Sequence, residues 1–129
     1  MDGLSKRDPE AFIRGKGVLA AHRYLLSELP TLGLTPSHNS GRIQAVRLHD
    51  VHDRYVFSWI TNAHHLLFYV RLPALNASHP LRELAHRGLP RPSENVAGEV
   101  KARLETESEA AEVVSWLRRV LPLPAPLGT

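Results

Sequence analysis

The sequence predicts a single small α+β domain in which an antiparallel sheet of about four strands packs with N- and C-terminal helices. Three patterns predict this class: a hairpin at 55–72, a strand of alternating charge at 99–105, and helical periodicity near both ends of the chain. Strands and helices in separate runs are typical of α+β folds. With 129 residues, the chain is long enough to bury a core in one domain. We expect this domain to cover residues 1–122 and the proline-rich residues 123–129 to form a mobile tail.

The N-terminal helix is expected to begin at Asp8-Pro9, because aspartate caps helices and proline suits the first helical position. It should end before Pro30. Gly15 and Gly17 interrupt the helical pattern, so either the helix begins after Gly17 or the glycines permit close packing. The stripe predicted to be buried consists of Val18, His22, Leu25, Leu26 and Leu29.

A loop is predicted at 31–41, followed by a first strand at 42–49 and then by the hairpin. Apolar side chains alternate along both strands of the hairpin, and Asn62-Ala63 is expected at its tip. The predicted cross-strand pairs, which would form one apolar face, are Trp59 with Leu66, Phe57 with Phe68 and Tyr55 with Val70. The opposite face would carry Val56, Ser58, Ile60, His65, Leu67, Tyr69 and Arg71. That mixed surface suits either contact with a partner or burial under helices.

The second half of the chain is expected to continue with a short helix at 78–87 and a loop at 89–97. Charged and apolar residues alternate strictly at 99–105, which predicts a strand with one wet and one dry face. Thr106 and Glu109 have the spacing of a capping box at the start of the final helix. The residues that this helix should bury are Ala110, Val113, Val114, Leu117 and Leu121.

Composition limits the functions that the chain can carry. It has no cysteine, so disulfides and thiolate chemistry are excluded, and a cytoplasmic location is expected. We find no apolar run that predicts a membrane span or a signal peptide, so no membrane partner is expected. The net charge is +3, but residues 11–93 alone carry a surplus of six positive charges. Such a surplus favours an anionic partner, although arginine-rich composition alone could produce it.

Two short patterns suggest metal chemistry without establishing it. His49-Asp50-Val51-His52-Asp53 brings four potential ligands into five residues, but adjacent residues of a strand point to opposite sides. Glu99 and Lys101 would share a strand face, and with Asp50 or Asp53 they could form a metal-dependent hydrolase or nuclease. Such patterns are common by chance, so we expect no metal, no cofactor and no catalytic residue.

The function predicted from these patterns is nucleic-acid binding without catalysis. Duplex DNA is the expected ligand, and the protein could recognise a structural feature or a modification of that DNA. The expected phosphate contacts are Arg14, Lys16, Arg23, Arg42, Arg47, Arg71 and Arg87, with Arg91 added by its loop. The expected contacts to bases, by edge or by stacking, are His64, His65 and Tyr69. No common DNA- or RNA-binding motif accompanies these residues. A protein-interaction or homodimerisation module is the alternative, favoured by an open sheet edge and by Trp116, which lies off the helical stripe.

Overall fold

The computed structural model describes residues 9–40 and 44–126 of the chain. The four described helices are α1 (Lys16–Glu28), α2 (Leu72–Ala77), α3 (Leu81–Gly88) and α4 (Glu107–Val120). The described strands are β1 (Thr35–Ser40), β2 (Gln44–His49), β3 (Tyr55–Thr61), β4 (Leu66–Val70), β5 (Pro92–Glu94) and β6 (Val100–Leu104). Short 3₁₀ turns lie on either side of α1, at Pro9–Phe12 and Leu29–Leu32. None of these helices is long and apolar enough to cross a membrane.

The strands form one antiparallel sheet in the order β1-β2-β3-β4-β6-β5. The predicted α+β class is confirmed, whereas the expected number of about four strands is too low. The two additional strands, β1 and β5, lie at the sheet edges within segments that we predicted to be loops. Both contain proline, at Pro36 and Pro92, which an edge strand tolerates because one side of its backbone needs no ladder partner.

The first helix begins at Lys16, later than the predicted start at Asp8-Pro9. Residue 8 lies outside the described residues, and Pro9 begins the 3₁₀ turn instead. Gly17 lies inside the helix, where an added Cβ would come 2.7 Å from the carbonyl oxygen of Glu105. Gly17 is therefore a packing glycine, which allows α1 to approach the segment between β6 and α4.

The hairpin pairs two residues away from the predicted register. Trp59 pairs with Phe68 and Phe57 pairs with Val70, so the predicted pairs of Trp59 with Leu66 and of Phe57 with Phe68 are wrong. The connection spans residues 62–65 and is closed by a hydrogen bond from Asn62 N to His65 O (3.0 Å). A shift of two residues keeps each side chain on its predicted face, because the strand period is two.

One residue of the predicted apolar face is nevertheless misplaced. The register between β2 and β3 changes between Leu48 and His49, where His49 pairs with Tyr55 and leaves Val56 as a bulge. Val56, predicted on the opposite face, is consequently buried in the core, and Tyr55 pairs with His49 on β2. The predicted pair of Tyr55 with Val70 is wrong, because Val70 pairs with Phe57.

The core lies between the helices and one face of the sheet. Trp59, Phe57 and Phe68 are fully buried there against the apolar side of α1 and α4. Trp59 Nε1 donates a hydrogen bond to His22 Nδ1 (3.0 Å), so these two buried nitrogen atoms satisfy each other. The predicted stripe of α1 is buried at Val18, His22, Leu25 and Leu29, with Leu26 partly buried.

The final helix follows its predicted start and extends the core. Glu109 N donates to Thr106 Oγ1 (3.1 Å), which confirms the cap, while the Glu109 side chain accepts from Glu105 N rather than from the cap residue. Trp116 is buried and donates from Nε1 to Leu84 O (3.0 Å), so it packs at the junction of α3 and α4. Leu123 is also buried, so the packed chain extends beyond residue 122.

Candidate functional site

The sheet presents its second face away from the core. We call this the uncovered face and define it by the residues that alternate with the core side chains on the inner strands: Arg47 on β2, Ser58 on β3, Tyr69 on β4 and Lys101 on β6. Arg47 is exposed, and Tyr69 and Lys101 are partly exposed, whereas Ser58 between them is buried at 2% exposure. The described helices therefore pack on the Trp59 face and leave the mixed face open, which the sequence could not decide.

The register aligns these residues in one row across the sheet. Each member pairs directly with the next on the neighbouring strand, from one edge of the sheet to the other. The row reads Ser37, Arg47, Ser58, Tyr69, Lys101 and Ser93. Directly paired residues share a face with Cβ atoms about 5 Å apart, so the row brings aromatic and cationic groups together on one face, with the Ser58 hydroxyl buried between them.

Tyr55 also belongs to the uncovered face, because the bulge at Val56 reverses its direction. Its ring lies under the Arg71 guanidinium, with Cζ 4.5 Å from the ring centroid, and Arg47 Cζ lies 5.4 Å away. The expectation that Tyr55 is a core residue is thus wrong. Both cation–π contacts hold the arginine side chains close to the sheet surface.

Glu99, Asn95 and Arg71 form a partly buried polar network beside Tyr69. The turn between β5 and β6 brings Asn95 over Glu99, where Asn95 Oδ1 accepts from Glu99 N (2.8 Å) and Asn95 Nδ2 donates to Glu99 Oε1 (3.0 Å). Glu99 Oε2 lies 2.9 Å from Arg71 Nε. This contact is an ion pair without hydrogen-bond alignment, since Arg71 Nε has no hydrogen-bond partner among the described residues.

This network sits in a depression of the uncovered face, with a volume of about 290 Å³. Tyr69 lines it, and burial raises the pKa of its phenol, with the Glu99 carboxylate adding to the rise and Arg71 opposing it. The Tyr69 hydroxyl therefore remains a neutral hydrogen-bond donor at neutral pH.

The predicted phosphate contacts fall into two groups. Four of them already pair with carboxylates: Arg23 with Glu10, Arg71 with Glu99, Arg87 with Glu83, and Arg91 with Glu105 and Glu109. Arg42 lies outside the described residues. Within residues 9–40 and 44–126, the Arg and Lys side chains with no carboxylate within 4.0 Å are Arg14, Lys16, Arg47, Lys101 and Arg119. Two of these, Arg47 and Lys101, share the uncovered face.

The remaining predicted residues gather at the hairpin end of the sheet. Arg14 N donates to Ala63 O (2.8 Å), which places the start of α1 next to His64 and His65. His65 is partly buried, and burial lowers its pKa, with Arg103 adding to the effect. A neutral imidazole at this position can stack or hydrogen-bond but adds no charge.

The structure separates the residues of the suggested metal site. The Asp50 carboxylate accepts from His52 N (2.9 Å), Arg54 N (3.0 Å) and Arg54 Nε (2.9 Å), so it holds the turn between β2 and β3. It lies apart from Glu99 and Lys101, which belong to the uncovered face. In the part of the chain that the structure describes, no group of three or more histidine or acidic side chains could hold a metal ion.

Asn95 belongs to the loop at 91–95 that was expected to add contacts, whereas sequence reasoning missed three residues as members of this site: Tyr55, Glu99 and Lys101. The alternation at 99–105 marked Glu99 and Lys101 as polar, but only the pairing of β4 with β6 places them beside Tyr69. Comparison with family models, curated proteins and solved structures gives no match. Function must therefore be argued from the site itself.

Proposed function

We propose that this chain binds nucleic acid through the uncovered face, with DNA as the expected ligand and without catalysis of its own. The observation that carries the proposal is the row of Arg47, Ser58, Tyr69 and Lys101. In it, two cations without carboxylate partners in the described chain lie on either side of a hydroxyl and a tyrosine ring.

The chemistry of this row matches the two parts of a nucleotide. Arginine and lysine neutralise phosphates, while an aromatic ring on a sheet surface stacks with a base. Arg47 and Lys101 stand three strands apart, which corresponds to about 14 Å across the sheet. A nucleic-acid strand lying across β2 to β6 would therefore contact both cations and pass over Tyr69.

The position of Tyr69 on the sheet surface favours one form of nucleic acid over another. Sequence analysis led us to expect duplex DNA, but a perfect duplex hides the faces of its bases in the stack. A tyrosine on a sheet reaches a base face only when that base is unstacked. Single-stranded DNA, or a duplex that is locally opened, therefore suits the uncovered face better than a closed duplex.

Fluorescence anisotropy over a salt series tests this proposal with labelled single-stranded DNA, duplex DNA and RNA. We expect single-stranded DNA to bind most tightly, with log affinity falling linearly with log salt. Replacing both Arg47 and Lys101 with alanine should weaken binding and reduce the magnitude of the salt slope by about 1.4, since each phosphate contact on a single strand contributes about 0.7.

Arg87→Ala is the matched control for this experiment. Arg87 is an exposed arginine on α3, outside the uncovered face, and it pairs with Glu83 at 2.7 Å. Its removal also deletes one positive charge, yet it should leave the salt slope unchanged. Absence of binding at low salt, or equal losses in the control and the double variant, would overturn the proposal.

A homodimerisation or protein-interaction module is the second candidate function. The observation that favours it is β1, a six-residue strand at the edge of the sheet. An edge strand offers unpaired backbone groups to a strand of another chain. Light scattering would detect a doubled mass. A second proline two residues after Pro36, His38→Pro, removes a donor on the same unpaired side of β1 and should return the chain to a monomer if β1 is the contact.

A further inference from the structure

The depression on the uncovered face is small enough to select its occupant. Ligand pockets range from about 300 to 1,000 Å³, so a volume of about 290 Å³ lies at the lower limit. It admits a single base rather than a larger ligand. Six side chains that line it provide its chemistry: Tyr55, Ser58, Tyr69, Arg71, Asn95 and Glu99.

Glu99 is the hydrogen-bond acceptor of this depression. Only 6% of the residue is exposed, yet its carboxyl group lines the depression rather than the core. One oxygen accepts from Asn95, and the other faces Arg71 without a well-aligned hydrogen bond. Since each carboxylate oxygen can accept two hydrogen bonds, acceptor capacity remains for a ligand.

Part of this network closes the turn between β5 and β6, because Asn95 N donates to Glu99 O (3.0 Å) and Asn95 Oδ1 accepts from Glu99 N. The contact of Arg71 with the Glu99 carboxyl group is not part of that turn. Charged groups withdrawn from water destabilise a protein unless they are well paired, and such arrangements are concentrated at functional sites. The network lies on the side of the sheet that makes no contribution to the core. A role in recognition accounts for the buried contact of Arg71 with Glu99, which the turn does not require.

Hydrogen-bond donors and a stacking surface complete the depression. The Tyr69 hydroxyl is a donor, as are the outer nitrogens of Arg71, while the buried Ser58 hydroxyl lies at the floor of the depression. The Tyr55 ring is already in contact with Arg71 and Arg47, so Tyr69 provides the ring that remains for a base. The complementary ligand is a planar ring that carries an amino donor next to acceptor atoms.

We infer that the depression holds one unstacked cytosine of a DNA strand, whose exocyclic amino group donates to Glu99 and whose ring contacts Tyr69. Cytosine has a single ring, an amino group and neighbouring acceptor atoms, and glutamate is a known type of partner for that amino group. Thymine carries a carbonyl oxygen at the same position, which would face the carboxylate and leave it without a donor. This inference rests on the proposed function of the uncovered face.

The test compares two labelled single strands, one of thymine throughout and one with cytosine at a single central position. We expect the strand with cytosine to bind about 10-fold more tightly, because a base contact of this kind discriminates by about 1–3 kcal/mol. A third strand carries N4,N4-dimethylcytosine, which has no amino hydrogen, at the same position. It should bind no more tightly than the thymine strand to the unaltered protein.

Glu99→Gln provides the corresponding change in the protein. It should abolish the preference for cytosine, while Arg47→Ala should weaken binding of both strands equally and preserve the ratio. Thermal unfolding of each variant establishes that it is folded. If Glu99→Gln does not fold, the N4,N4-dimethylcytosine strand decides the question with the unaltered protein.

The outcomes separate this inference from the proposed function. No binding of any strand at low salt overturns both. Binding without a preference for cytosine, or with a preference that survives loss of the amino hydrogens, overturns the inference and leaves the proposed function standing. If free cytidine competes for the site as well as the cytosine strand does, the depression is a small-molecule site. That result would overturn the inference that it holds a base of a DNA strand.

Discussion

The two faces of the sheet are built from alternate residues of the same strands, and they differ in what packing requires of them. The row Val46, Trp59, Phe68 and Ala102 lies on the core face, and each member is fully buried. The row on the uncovered face consists of the immediate chain neighbours of these core residues: Arg47, Ser58, Tyr69 and Lys101. The core needs only the first row. In the second row Ser58 is also buried, but Arg47, Tyr69 and Lys101 are free of that demand, so their charges and ring are the better guide to function.

Removal of Trp59 should produce the largest effect on stability. Trp59→Ala deletes a fully buried ring and leaves His22 Nδ1 without its donor, so we expect a loss of about 3–5 kcal/mol in the free energy of unfolding. Urea unfolding followed by circular dichroism measures it. Tyr69→Ala, at the neighbouring position of the uncovered face, is the comparison. A cost as large as that of Trp59→Ala would show that both faces support the fold.

Gly17→Ala should have the next largest effect, because it tests the contact between α1 and the end of β6. The added methyl group would come 2.7 Å from the backbone oxygen of Glu105, which cannot move without shifting the strand. We expect a loss of about 1–3 kcal/mol, since overpacking outweighs the helix propensity gained. Gly15→Ala is the control, since its nearest contact would be an ordinary 3.5 Å to Val18. Equal stabilities of the two variants would contradict the close approach.

The Asp50 carboxyl group in the turn between β2 and β3 predicts that the free energy of unfolding depends on pH. Burial alone would raise the pKa of Asp50, but hydrogen bonds from Arg54 and His52 outweigh it and lower the pKa below the ordinary value of 3.8. Because the folded-state pKa is depressed, the stabilisation is fully present above the unfolded-state value and is lost as pH falls through the folded-state value.

Asp50→Asn isolates this contribution. It should lower the free energy of unfolding at neutral pH by about 1–2 kcal/mol, since it removes the charge-assisted bonds of a largely buried carboxylate. The difference between the variant and the unaltered chain should narrow as pH falls below 4. Unfolding curves at pH 7 and at low pH provide the comparison, and a constant difference would contradict it.

The sequence predicts which face of the sheet a side chain occupies better than it predicts which residues pair between neighbouring strands. Alternation identifies the hairpin and the side of Phe57 and Trp59, but a two-residue shift conserves both faces, so composition cannot select the register. The bulge that turns Tyr55 outward depends on how β3 pairs with β2. The edge strands were missed because Pro36 and Pro92 are typical of loops, whereas backbone pairing with a neighbouring strand stabilises them. The site combines residues from β2 to β6, and no local pattern contains such long-range pairings.

The smallest expected effect on stability belongs to the uncovered face itself. Replacing Arg47 and Lys101 together with alanine should change the free energy of unfolding by less than about 0.5 kcal/mol, because surface changes away from packed contacts are usually of that size. The cation–π contact of Arg47 with Tyr55, at 5.4 Å, is long and partly exposed, and Arg71 still covers that ring at 4.5 Å. Chemical unfolding of the same preparation used for binding measures the effect. A marked loss of stability would mean that the two cations serve the fold, and weakened binding by this variant would then no longer indicate an interface. Unchanged stability with weakened binding would assign the two faces of one sheet to separate tasks, the core face to folding and the uncovered face to recognition.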